Sequence, residues 1–156
     1  MNKRKVLLAA TAIVVCAATP ALADESVSPD HLNSHEVFPS GLPFSEAVRV
    51  GNTLYLAGQI GIVPGTMKLV PGGLEAETRQ TLENIKTSLE AHGYSMDDLV
   101  KCTIMLADIS RWADFNDIYK TWFDERFPAR SAFGANGLAL GAQVEIDCVA
   151  AGQPGQ

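Results

Sequence analysis

The chain has 156 residues, 12 basic against 18 acidic, with a formal net charge of −6 when histidine is neutral. That length accommodates one domain with a core of its own and leaves no room for a second. The acidic balance, with no basic cluster interleaved with aromatics, repels phosphate backbones and argues against a nucleic-acid partner.

The chain opens on Lys3, Arg4 and Lys5, an apolar run over residues 6–18, and the small-x-small triplet Ala21-Leu22-Ala23. This is the pattern of a cleaved secretory signal, read here as residues 1–23. The run falls short of the roughly 20 residues that span a bilayer. Val15, where a lipoprotein leader carries a small residue before its cysteine, argues against lipidation at Cys16. Cleavage leaves 133 residues and, because the leader holds three basic residues and no acidic one, a net charge of −9. The expectation is a periplasmic or secreted protein with no membrane partner once the signal is removed.

Residues 24–39 are polar and without a sustained period, which reads as a flexible arm or a strap over a neighbour. His31 and His35 lie four apart, but no third ligand follows at a defined spacing, so no metal is expected. Residues 40–152 form the expected folded domain. Within it, 47–50 and 53–60 read as a β-hairpin about Gly51-Asn52. Gly58-Gln59 marks either a bulge or a place where a ligand comes close to the backbone. A Gly- and Pro-rich loop over 64–73 precedes a helix over 74–92, with Leu82, Ile85 and Leu89 on one face and Gly93 as its stop. A strand follows over 99–106. A second helix spans 110–126, where Trp112, Phe115, Tyr119, Trp122 and Phe123 recur at helical spacing and read as core. Pro128 ends it, and strands follow over 130–134 and 143–151. The order β-β-α-β-α-β-β gives an α+β fold, a mixed sheet with two helices on one face. Cys102 and Cys148 lie in two of these strands, as buried small hydrophobes or as a disulfide if the strands are neighbours.

The segment Phe127-Pro128-Ala129-Arg130-Ser131 and, fifteen positions after the arginine, Val144-Glu145-Ile146 carry the chemistry. They place a permanent cation and a carboxylate on strand-like segments expected to be neighbours. An arginine fork grips a carboxylate ligand through two charge-assisted hydrogen bonds, and a glutamate across the pocket polarises a water. The alternative is a structural ion pair between Arg130 and Glu145. Arg130 has no acidic residue within four positions, so its partner is remote. Strand alternation turns Glu145 away from Val144 and Ile146 and puts Asp147 on its own face. The chain has no G-x-G-x-x-G, P-loop, G-x-S-x-G, H-E-x-x-H or C-x-x-C pattern, which weighs against phosphate-, metal- and triad-driven mechanisms.

Gly58-Gln59-Ile60, Thr78-Arg79-Gln80, Leu82-Glu83-Asn84, Asn116, Pro128-Ala129-Arg130-Ser131 and Val144-Glu145-Ile146 together resemble the RidA (YjgF-like) family, over about residues 42–151. The resemblance implies a chorismate-mutase-like α+β fold, a homotrimer, and ligand clefts between subunits. It implies hydrolysis of reactive enamines and imines, such as 2-aminoacrylate, to 2-keto acids and ammonia, with no cofactor. On that analogy Arg130 binds the substrate carboxylate with help from the Ala132 backbone, Glu145 holds the attacking water, and Gly58, Asn116 and Phe44 line the cleft. The chain departs from the family pattern at Leu42-Pro43-Phe44, where a tyrosine hydroxyl is expected, and at Gly134-Ala135-Asn136-Gly137, where branched residues are expected. The rival readings are a non-catalytic module that binds a small carboxylate and a holdase-like protein of the same fold.

Overall fold

In the computed structural model the described residues are 28–152; the expected leader and the first residues of the arm lie outside them. Seven strands form one sheet: β1 (Asp30–Leu32), β2 (Ala47–Val50), β3 (Thr53–Leu56), β4 (Gln59–Ile60), β5 (Leu99–Leu106), β6 (Ala129–Gly134) and β7 (Val144–Ala151). The main path runs β1-β2-β3-β7-β5-β6, and β4 also pairs with β7. All pairs are antiparallel except β5 with β6. The helices α1 (Gly73–Ala91) and α2 (Trp112–Tyr119) cover one face, so the α+β reading holds. Among the described residues no helix covers the other face, and Tyr55 and Phe133 stand exposed there.

The main core joins Leu82, Ile85 and Leu89 of α1 and Phe115 and Tyr119 of α2 to Leu54, Ile104, Leu106, Val144 and Ile146 of the sheet. Alternation sets this division: the even-numbered residues 102–106 and 144–150 are buried under the helices, and the odd-numbered ones between them are half-buried on the bare face. Cys102 and Cys148 stand directly opposite each other on β5 and β7, Cα atoms 4.2 Å apart, and form a disulfide inside this core.

Three expectations need correction. The part of the 24–39 arm that is described is folded: β1 pairs with β2, and Val37 and Phe38 are buried in a second cluster with Ile60, Ile62 and Ala142. What anchors it is Glu46, 2% exposed, whose Oε2 accepts from the Ser34 amide and hydroxyl at 2.7 Å each. The single strand over 53–60 is two strands, because the three residues between Tyr55 and Gln59 run against two between their partners Val149 and Ile146 on β7, and the extra one bulges at Ala57-Gly58. The second helix stops at Tyr119 and tightens into a 3₁₀ turn over Lys120–Trp122, well short of residue 126.

Candidate active site

Arg130 lies on β6, the sheet edge, and its side chain turns to the helix-covered face like that of its register partner Cys102. There α2 builds its seat. The guanidinium carbon sits 4.5 Å from the centroid of the Trp112 ring and 4.8 Å from that of Tyr119, and Nη1 donates to Asn116 Oδ1 at 2.8 Å. Trp112, Asn116 and Tyr119 are spaced i, i+4, i+7, one face of a helix. Among the described residues no carboxylate lies within ion-pair distance of Arg130. A cavity of about 470 Å³ opens beside it, lined by Asn116, Tyr119, Lys120, Phe127 and Pro128. Burial pushes the pKa of the Tyr119 hydroxyl up to about 12, against the opposing pull of Arg130, and that hydroxyl has no hydrogen-bond partner among the described residues. Ala132 follows two positions on, half-buried on the same face.

Glu145 is elsewhere. On β7 it pairs with Met105 of β5 and Ile60 of β4, and turns to the bare face. Gly58 meets it at the bulge: a Cβ on Gly58 would collide with Glu145 Oε1, so a larger residue there would push this carboxylate from its place. Around them Phe38, Phe44, Ile60, Met67 and Ala139 line a cavity of about 330 Å³. Phe44 is held edge-on against Phe38 at 5.3 Å and is 45% exposed. Burial in this apolar setting, and then the neighbouring charge of Asp147, raise the Glu145 carboxyl above its ordinary pKa.

The six site residues thus fall into two groups, Arg130 with Asn116 and Ala132, and Glu145 with Gly58 and Phe44. β5 separates β6 from β7, and Arg130 and Glu145 project from opposite faces three register positions apart. This overturns two expectations for a single chain, the shared pocket on neighbouring strands and the Arg130–Glu145 ion pair. Sequence reading also missed Trp112 and Tyr119. They belong to the aromatic stripe read as core, although their helical spacing about Asn116 was the available signal. His31 donates to or accepts from Ser45 Oγ at 3.1 Å through Nδ1, and His35 borders a small separate cavity. Among the described residues no group of three or more His, Cys, Asp or Glu is arranged to hold a metal ion.

Comparison with known proteins gives consistent matches. The family described as "Endoribonuclease L-PSP" matches residues 36–152. A 2-iminobutanoate/2-iminopropanoate deaminase of Bos taurus is 43% identical over 112 residues, covering 72% of this chain and 82% of that protein. Among solved structures, the yeast protein YEO7 superposes with a TM-score of 0.76 at 35% identity, covering 81% of this chain and all of that one. RidA from an Antarctic Psychrobacter superposes with a TM-score of 0.73 at 36% identity, covering 78% of this chain and 98% of that one.

Proposed function

We propose that this chain, which belongs to the endoribonuclease L-PSP (RidA, YjgF-like) family, is an imine deaminase that hydrolyses small 2-imino acids, and the enamines that tautomerise to them, to 2-keto acids and ammonia. The observation that carries the reading is Arg130, a buttressed cation with no carboxylate partner of its own among the described residues, beside an open cavity. Nothing in a net charge of −6 favours RNA as the substrate instead.

In this reading the free edge of the Arg130 guanidinium grips the substrate carboxylate, and Glu145 accepts a hydrogen bond from a water aimed at the imine carbon. The water adds to the C=N carbon and its proton passes through Glu145 to nitrogen. The resulting carbinolamine collapses to C=O and releases ammonia. A protonated imine is already electrophilic, so holding carboxylate and water in place supplies much of the rate.

Because one chain keeps Arg130 and Glu145 on opposite faces, we assign the complete site to two copies, one supplying the arginine and the other the glutamate. The exposed Tyr55 and Phe133 on the bare face support self-association, and a closed homotrimer is the arrangement proposed. The leader-like pattern of residues 1–23 and the Cys102–Cys148 disulfide support a periplasmic or secreted location.

The test is the hydrolysis of imines generated in situ by an amino-acid oxidase. Wild type should accelerate 2-keto acid release. Arg130→Ala should lose about a hundredfold or more in kcat/KM, as expected for two charge-assisted hydrogen bonds. A wild type that binds keto acids but speeds no imine would replace this reading by the non-catalytic carboxylate module.

A further inference from the structure

Arg130 is the proposed ligand cation, yet its own restraint comes from the aromatic stripe of α2. The rings run as one stack: Trp112 to Phe115 at 6.2 Å, Phe115 to Tyr119 at 5.4 Å, Tyr119 to Phe123 at 4.9 Å, and Phe123 to Phe127 at 5.7 Å. Phe115 and Tyr119 are buried, and Phe127 emerges 55% exposed at the cavity beside Arg130. A guanidinium on a β-strand at the sheet edge would sample several rotamers. Here two rings contact it and Asn116 occupies one of its nitrogens, so its remaining donors are fixed towards one direction.

We propose that Trp112 and Tyr119 are positioning residues for substrate capture: a cation–π platform that pre-organises Arg130 and thereby sets the affinity of the site for 2-keto and 2-imino carboxylates. The inference rests on the reading of Arg130 as a carboxylate clamp, and extends it to two residues that act through Arg130. A platform of this kind acts on binding before it acts on chemistry, because it reduces the freedom that the clamp loses when a carboxylate arrives. Trp112 carries the larger share, since indole offers the best cation–π face.

The experiment measures calorimetric binding of 2-oxobutanoate, with thermal melting in parallel, for wild type, Trp112→Leu, Trp112→Phe and Tyr119→Leu. Trp112→Leu should weaken binding about tenfold, the size of a well-formed cation–π contact. Trp112→Phe should recover most of that loss, and Tyr119→Leu, which removes the second ring, should weaken binding by a smaller factor, about threefold. In turnover the Trp112→Leu change should appear in KM with kcat within about twofold. A second readout removes the ambiguity of a damaged core. With Trp122→Phe, Trp112 becomes the only tryptophan of the chain, and successive fluorination of its ring should weaken 2-oxobutanoate binding stepwise with little change in melting temperature.

Unchanged affinity in Trp112→Leu or across the fluorinated series would overturn the proposal, as would a wild type that does not bind 2-oxobutanoate at all. If wild type binds it and the tryptophan series behaves as expected but no imine is hydrolysed, the platform stands and the deaminase reading falls.

Discussion

Glu145 owes its chemistry to two local facts, the apolar cavity that partly buries it and the Asp147 carboxylate on the same face. A raised pKa makes its ionised form, the form that accepts a water proton in the proposed reaction, available only at higher pH than for an ordinary glutamate. The kcat profile should therefore fall on its acid side above the usual carboxylate range, and Asp147→Asn should move that limb to lower pH. A pH series of initial rates for the two proteins checks this. Stability follows the opposite sense. A carboxyl raised in the folded state contributes stability below its ordinary pKa and loses it as pH rises through the raised value. Glu145→Gln should accordingly melt at or above the wild-type temperature at pH 7 while losing turnover. Gly58 belongs to the same scale: Gly58→Ala forces the Glu145 carboxylate aside, and displacing a catalytic group by about 1 Å costs about a hundredfold in rate. Comparing kcat with the melting midpoint of this variant separates that effect from unfolding.

At the scale of elements, short strands and loops are held by buried polar groups rather than by length. β4 has two residues, and Asn84 of α1 holds it by donating through Nδ2 to the carbonyls of Ile60 and Ile62, both at 3.0 Å. Glu77 of the same helix accepts from the Gln143 amide at 2.7 Å and sets the start of β7. The segment that carries Phe38 and Phe44 to the Glu145 cavity depends likewise on Glu46. Burial pushes the Glu46 carboxyl up, but the hydroxyls of Ser88 and Ser34, the Ser34 amide and the facing His92 outweigh that and leave it below its ordinary pKa. Stability from Glu46 is thus complete above the ordinary carboxylate pKa and is lost as pH falls through the depressed value. Glu46→Ala leaves the Ser34 donors unpaired and should cost about 1–3 kcal/mol, measured by urea unfolding at pH 7. Its deficit should shrink as the pH is lowered towards the depressed pKa, because wild type then loses the same interaction.

For the whole molecule, the disulfide joins the adjacent interior strands β5 and β7 across 46 residues of sequence. Breaking it in Cys102→Ala/Cys148→Ala should lower stability by about 2–4 kcal/mol, read from chemical unfolding of oxidised and mutant proteins. The division of the site between faces makes a sharper prediction. Arg130→Ala and Glu145→Ala, each inactive alone, should regain activity when co-expressed. Random assembly would give about a quarter of the wild-type sites, since each intact site needs one chain of either kind. No recovery in mixed oligomers would place both residues in one subunit's site and overturn the two-copy arrangement.

The sequence by itself determined the elements that local chemistry dictates. The apolar face of α1 with Gly93 after it, the alternation of β5 and β7, and the outward turn of Glu145 follow from spacing alone. The resemblance carried by Gly58, Arg130 and Glu145 indicated the family. The tertiary structure alone decided what depends on contacts distant in sequence. β1, three residues without a period, exists because β2 offers it a ladder. The strand over 53–60 breaks because β7 counts one residue fewer. Trp112 and Tyr119 turn from core filling into a seat for Arg130 only when β6 lies beside α2. The separation of Arg130 from Glu145 was not legible either, because periodicity gives the face of each strand but not the order of strands. That order is set by which surfaces bury most together, and placing β5 between β6 and β7 is what keeps Arg130 and Glu145 on strands that are not neighbours.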